Sequence, residues 1–335
     1  MTDIARAARL VGEAPCDGAD GPSGRTLAAA LRQGGLLEAF LTLEQLFEAL
    51  VAIGRVSLSA GRLFEGHVNA VKLLNLYAPG RRPDGLLGIW GADGPDPVRI
   101  EGTVLRGQKL FASGADVLDH VIVTARKDDQ LQLLLFSRRQ LAGRLFPDEW
   151  QVSGMQATAS GRCNLDGLSL DHAICIGGAG DYLIEPHFQG GVWRYAAVQL
   201  GAMRALTAIT AEQLQQRRQD VAPLQAMRLQ CMVTACETAR LWLWQAAQAV
   251  ERPEATADDA ETSILARLLT AREAVALMNA MDQALGAASF ATSHPADRIR
   301  RDLSFYIRQA NPDGLALEAM SRILQTSSLR KRWIG

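Results

Sequence analysis

Apolar positions along the chain change their spacing twice. Over residues 26–77 they recur at helical intervals: Leu27, Leu31 and Leu36, then Leu43, Leu46, Phe47, Leu50 and Val51, then Leu63, Val68, Val71 and Leu74. Such spacing lines one helix face, so a series of helices is expected, the third over about 59–77 and stopped by Pro79 and Gly80. Over residues 84–178 strand-length runs replace that pattern, at 98–101, 104–105, 120–125 and 131–136. Turn-forming residues part them at 91–97, 127–129 and 146–148, and the expectation is a small antiparallel barrel or sandwich. From about Tyr182 helical spacing returns. Ala196, Leu200, Met203 and Leu206 open one long helix. Residues 224–250 are apolar nearly all round, with Leu229, Val233, Leu241, Trp242, Leu243 and Trp244, which predicts burial on several sides, within a bundle or between subunits. Ile264, Leu268, Ala271, Val275, Met278 and Leu285 mark a further helix, and two more follow around 299–306 and 315–324. The order is α+β and multidomain: a loose Gly- and Asp-rich arm over 1–24, a short helical domain over 25–80, a β-domain over 81–180 and a helical bundle over 181–335.

Composition narrows the function classes. The 335 residues suffice for two or three domains with sizeable cores, and 48% hydrophobic with 21% charged is ordinary for a globular protein. A formal net charge of -1 carries no field that would draw nucleic acid or an anionic membrane. Neither a signal peptide nor an apolar run of membrane-spanning length is recognised, so a cytoplasmic location is expected, without membrane insertion. The five cysteines, Cys16, Cys163, Cys175, Cys231 and Cys236, have no CxxC spacing, so neither a metal site nor a disulfide framework is indicated. Cys231 and Cys236 lie in an apolar helical run and read as core residues.

The candidate chemistry begins at residues 107–125, GQKLFASGADVLDHVIVTA. Small residues at Ala112, Ser113 and Gly114 let backbone approach something flat. Gly107, Lys109, Phe111, Ala112 and Ser113 in that order resemble the segment that lies along the flavin in acyl-CoA dehydrogenase-like flavoproteins. Three later segments resemble the same family. Trp150, Gly154, Met155, Thr158 and Ser160 match its Trp-x-x-x-Gly-Met-x-x-Thr-x-Ser run. Gln283 and Gly286 match a Gln-x-x-Gly-Gly turn that meets the dinucleotide of a neighbouring subunit, with Ala287 in place of the second Gly. Residues 298–302, RIRRD, match its late Arg-x-x-Arg-Asp signature. The resemblance implies N-terminal helices, a middle antiparallel β-barrel or sandwich and a C-terminal four-helix-type bundle, assembled as a homodimer or homotetramer. It implies FAD as cofactor and a flavin-dependent oxidoreductase acting on the CH–CH group of an acyl-CoA-like or other small substrate. Trp90, Phe111, Ala112, Ser113, Arg217, Gln283 and Gly286 are then the candidate cofactor-binding residues.

The chain departs from that family in ways that bear on chemistry. The family's Arg-x-x-Phe-Gly-x-Pro-Leu run becomes Arg217, Arg218, Gln219, Asp220, Val221, Ala222, Pro223 and Leu224, so FMN or a loosely held reduced flavin stands open beside FAD. The family's catalytic Glu has no counterpart after the Arg-Asp signature, where the position falls near Ala310. The alternative location, on the first long bundle helix, reads RYAAVQLGAMRAL and holds no carboxylate. Glu185 and Asp181 are substitutes only if folding brings them to the site. A second branch of the family, the monooxygenases supplied with reduced flavin by a partner reductase, carries a histidine on an N-terminal helix. His67 is the candidate here, set against its reading as a core histidine with satisfied hydrogen bonds. The third reading is a binding or scaffold protein that kept the fold and lost the chemistry.

Overall fold

The structure is a computed structural model and describes residues 3–18, 20–309 and 311–335. It divides into two compact units. One comprises residues 1–40, 59–152 and 156–184; the other comprises 41–58, 153–155 and 185–335.

The first unit opens with α1 (Ile4–Gly12) and α2 (Gly24–Gln33). The loose arm expected over 1–24 therefore contains a helix of nine residues. Ala7 and Val11 recur at a four-residue step and are 0% and 2% exposed, and Ala7 sits against Gly34 just beyond α2. Ser23 caps α2, and its hydroxyl and that of Thr26 both donate to Asp17. After α3 (Leu43–Val56), which belongs to the other unit, α4 runs over Leu58–Tyr77. Nine strands follow: β1 (Leu87–Trp90), β2 (Arg99–Glu101), β3 (Val104–Arg106), β4 (Gln108–Lys109), β5 (His120–Lys127), β6 (Gln130–Ser137), β7 (Leu145–Phe146), β8 (Arg162–Asn164) and β9 (Ile174–Ile176). One sheet has the order β3-β2-β5-β6-β9 with β1 also paired to β5; a smaller one has the order β4-β8-β7. The β-domain is present as two sheets, but it is mixed rather than wholly antiparallel: β1 and β2 both run parallel to β5. The excursions 91–98 and 107–119 carry the chain back across the sheet end, which a two-residue hairpin does not do. Ala70, Leu73 and Leu74 of α4 pack on Leu87, Ile122, Leu133 and Leu135, so one face of the sheet is closed by that helix.

The second unit is helical. Its long members are α3, α5 (Trp193–Gln216), α6 (Pro223–Glu251) and α7 (Ala260–Leu285), followed by α8 (Pro295–Tyr306), α9 (Pro312–Gln325) and α10 (Ser327–Trp333). α3 packs on α5 rather than with the N-terminal helices, as the 25–80 boundary had it. Glycines explain the close crossing: a Cβ on Gly54 would lie 2.2 Å from the Val198 carbonyl oxygen, and one on Gly201 2.2 Å from that of Val51. α6 buries a single stripe, including Met232, Ala235, Ala239, Leu243 and Ala246. Leu224, Met227, Val233 and Leu241 remain 54–67% exposed, so burial on all sides is not reached within one chain. Cys231 shares that outward face; it is exposed, not a core residue. All five cysteines are unpaired. Among the described residues no helix is long and apolar enough to cross a membrane, and no group of three or more His, Cys, Asp or Glu is placed to hold a metal.

Candidate functional site

Residues 107–114 leave β4 as a strap with unusual backbone geometry. φ is positive at Gly107 (97°), Phe111 (53°) and Gly114 (75°). Gly114 must be glycine, since a Cβ there would lie 2.9 Å from both Leu63 and Leu118 side chains. Phe111 has no such freedom; a left-handed residue with a Cβ costs about 1–2 kcal/mol, which the surroundings must hold in place. Three hydrogen bonds do so. The Ala112 N–H donates to the Gly161 carbonyl at 2.9 Å, the Gly114 N–H to that of Thr158 at 2.7 Å, and the Trp90 indole to that of Ser113 at 3.0 Å. The outcome is a Phe111 ring that is 54% exposed and meets Trp150 edge-on, centroids 5.9 Å apart.

A row of hydroxyls borders this ring. Thr158 and Ser160 lie 2.7 Å apart, and Ser160 donates to Ser113 at 3.0 Å. The Ser113 hydroxyl proton has only a long contact of 3.5 Å to the Phe111 carbonyl, so it can turn toward a ligand. Ala159, between the two outer hydroxyl residues, is also left-handed at φ 44°. Beneath the strap Lys109 is fully buried. Its ammonium pairs with Asp93 and donates to Thr124 at 2.7 Å and to the Gly91 carbonyl at 3.3 Å. Burial pushes its pKa down, and Asp93 works against that shift.

Not every expected residue faces outward here. Trp90 is 2% exposed, so it is not a ring wall; its indole braces the strap from behind. Ala112 is 0% exposed and contributes through its backbone alone. His67 is 2% exposed, with Nε2 2.8 Å from the Leu37 carbonyl and Nδ1 accepting the Leu87 N–H at 3.1 Å. Both nitrogens are thus engaged by backbone, and burial lowers its pKa to about 4. That geometry makes His67 a neutral pin between the 34–37 turn and β1 and leaves no nitrogen for a substrate. Two residues earlier in α4, Glu65 is 2% exposed, pairs with Arg62 at 2.6 Å and accepts from Asn69. Tyr182 lies near enough for Glu65, together with burial, to push its hydroxyl up to about 12. The sequence reading passed over this buried polar group, for nothing in the spacing of Arg62, Glu65 and Asn69 distinguishes it from a solvated helix edge.

In the helical unit, Arg217, Gln283 and Gly286 come to the same end. Arg217, at the end of α5, is exposed and donates to Gln213 at 3.3 Å. Gln213 lies 2.7 Å from His294, whose Nδ1 caps α8. Burial lowers the His294 pKa, and Arg217 and Arg300 add to the shift. Arg300 pairs with Asp282 at 3.3 Å and lies 3.6 Å over the Phe290 ring. Gln283 and Gly286 beside them are exposed, with φ 71° at Gly286. The Arg-x-x-Arg-Asp run has a different use. Arg300 and Arg301 both pair with Asp297, Arg301 donates to the Ser153 carbonyl at 2.7 Å, and Asp302 accepts the Met155 N–H at 2.6 Å. It clamps residues 153–155, where Met155 is held at φ 60°. The role of Asp297 has no signal in the motif.

The two carboxylates named as substitutes for a base are both engaged by backbone. Glu185 accepts the N–H groups of Gln189 and Gly190 at 3.0 and 3.1 Å, and Asp181 accepts that of Gly178 at 2.7 Å. Ala310 lies outside the described residues.

Comparison with known proteins bears on the whole chain. Residues 178–307 match the family model of the acyl-CoA dehydrogenase C-terminal domain. No curated protein matches the sequence. Solved structures do. Dibenzothiophene monooxygenase TdsC from Paenibacillus sp. A11-2, also solved with FMN and indole, superposes with a TM-score of 0.80 at 18% identity over 96% of each chain. Nitroalkane oxidase from Podospora anserina gives 0.76 at 18% identity over 91% of this chain and 87% of its own. XiaF from Streptomyces sp., solved with FADH2 and glycerol, gives 0.70 at 16% identity over 95% of each. Residues 178–307 thus match the acyl-CoA dehydrogenase C-terminal domain, and the chain as a whole shares the fold of these flavoenzyme structures.

Proposed function

We propose that the chain is a flavin-dependent oxidoreductase whose flavin ring rests on the Phe111 strap. The observation that carries this reading is Phe111 itself: a large aromatic ring, half exposed, held in a costly left-handed conformation beside a row of hydroxyls. Strain and exposure together are retained where a ligand uses them. The residues fit one face of an isoalloxazine: a flat apolar surface, the Ser113 hydroxyl with a proton to give, and small Ala112 permitting close approach. FAD is the proposed cofactor, with FMN the alternative, since the TdsC and XiaF structures hold FMN and FADH2.

Within that class we favour oxygenation by reduced flavin over CH–CH dehydrogenation. Dehydrogenation beside a thioester needs a carboxylate base. RYAAVQLGAMRAL has none, and Glu185 and Asp181 are engaged by backbone amides. Reduced flavin with O2 supplies one oxygen atom to an electron-rich small substrate and sends the other to water. The protein's share is to seat the ring on Phe111, donate from Ser113 to its polar edge and exclude water; a partner reductase provides the electrons. The exposed apolar face of α6 supports a homodimer or homotetramer, and in such an assembly Arg217, Gln283 and Gly286 would meet the dinucleotide of a neighbouring copy.

The test is a titration of the purified chain with FAD and FMN, each oxidised and reduced, followed by turnover with a flavin reductase under O2. Binding near one flavin per chain with reductase-dependent oxygenation is expected. Turnover of acyl thioesters with an artificial electron acceptor and no O2 would restore the dehydrogenase reading. Failure to bind any flavin would leave a non-catalytic scaffold.

A further inference from the structure

An open cavity of about 470 Å³ lies in the first unit, apart from every residue assigned above to the flavin. It is lined by Arg25 near the start of α2, Arg138 and Arg139 in the turn after β6, and Asp116 beyond the strap. Ala115, Ala142, Gly143, Leu145 and Pro147 complete a largely apolar floor. Three arginines thus line one concavity, from two segments far apart in sequence. Some exposed arginines in this chain are matched by a carboxylate, as in Arg99 with Glu101 or Arg240 with Glu237, and others are not. Among the described residues the Arg25 and Arg139 side chains make no hydrogen bond or ion pair, and the field of Arg25 reaches Asp116. Arg138 donates to the Asp116 backbone carbonyl, which fixes its direction across the cavity wall. The one carboxyl in the lining, Asp116, is part-buried, and its Oδ1 has no hydrogen-bond partner.

We propose that this cavity binds the phosphate group of a small molecule. Planar guanidinium forks suit tetrahedral oxyanions, and two that make no hydrogen bond within the chain have all their donors to give a ligand. The volume lies in the range of small-molecule sites, and the apolar floor suits the organic part of a phosphorylated metabolite. Asp116 opposes an anion when charged. Burial raises its pKa, so its charge is the more easily given up beside a bound phosphate, and the protonated carboxyl then has an oxygen able to donate. The assignment does not rest on the flavin reading.

The test uses the full-length chain and calorimetry, with inorganic phosphate, adenosine 5′-monophosphate and adenosine as probes and chloride at matched ionic strength as the control. Saturable binding of phosphate or the nucleotide is expected. Arg25→Ala and Arg139→Ala should each weaken it about tenfold or more, the loss of one charge-assisted contact. Neither side chain makes a hydrogen bond within the chain and Arg25 meets Asp116 only through its field, so the melting temperature without ligand should scarcely move, which separates lost binding from lost folding. Asp116→Asn should tighten phosphate binding by removing the opposing charge at constant shape. Equal affinity for phosphate and the nucleotide identifies the free anion as the ligand. Much tighter nucleotide binding, with adenosine silent, identifies a phosphorylated metabolite. No saturable binding of either anion, or binding unchanged in both arginine variants, overturns the proposal.

Discussion

The strap around Phe111 and the far end of the helical unit around Arg217 both hold residues that a flavoprotein would use, yet they are built differently. The strap is finished within its own unit. Lys109 is buried under it, Trp90 braces it, and Phe111 is presented in a conformation it would not choose. The bundle end is open: Arg217, Gln283 and Gly286 lie on the surface, and Arg217 holds only a long contact to Gln213. A preorganised surface sets its ordering cost aside in folding, whereas an exposed arginine acquires its role only when something is laid against it. On the proposed reading, the ring end of a flavin would be met by one chain's own folding, and the phosphate end by assembly.

The largest expected effect tests how far the strap is self-sufficient. Lys109→Met keeps bulk but leaves Asp93, 22% exposed, without its partner. A loss of about 3 kcal/mol is expected in urea unfolding, because breaking a mostly buried pair strands the other charge. A loss under 1 kcal/mol would show that the strap does not depend on its underpinning.

Nearly as large is the pH response of His67. Its pKa is about 4 in the folded chain and near 6.5 when unfolded. The folded-state value is depressed, so between those values the unfolded state binds more protons and stability rises with pH. The contribution is complete above pH 6.5 and about 3 kcal/mol of it is lost as pH falls to 4. Unfolding free energies between pH 4 and 7.5 measure this, and the slope should shrink in His67→Gln. An unchanged slope in that variant would remove His67 as its source.

Phe111→Gly separates ligand from scaffold. Relief of the left-handed strain should leave the melting temperature level or higher, while flavin affinity falls about tenfold with loss of the stacking surface. Unchanged flavin affinity would take the strap out of the cofactor site. The smallest effect is expected at the bundle end. Arg217→Ala should weaken FAD severalfold and leave FMN unchanged, with sedimentation velocity run alongside to show that assembly persists. Equal loss for both flavins would contradict a dinucleotide contact.

Much of this architecture was legible beforehand because it is written in local pattern. Apolar spacing marked α4 to α8 and the strands β5 and β6, since a helix face or a buried strand recurs within a few residues. Ala112, Ser113 and Gly114 stood out as small residues in a row, and Phe111 through its place in the resembled segment. The arm over 1–24 was misread because glycine and aspartate around 17–24 drew attention from the Ala7 and Val11 step. α3 reads as any amphipathic helix, and its place on α5 was settled by Gly54 and Gly201, two glycines nearly 150 positions apart.

The residues alone therefore determined most of the long helices and the central strands β5 and β6, for those depend on neighbours in sequence. Which side chains point outward was decided only in three dimensions. Trp90 and His67 are the kind of residue a site uses, and both were drawn inward by backbone partners at Ser113, Leu37 and Leu87. Arg25 and Arg139, unremarkable in sequence, were brought to one cavity. A buried hydrogen-bond partner or a converging charge is a long-range pairing, and its energy exists only once the fold has brought the two ends together.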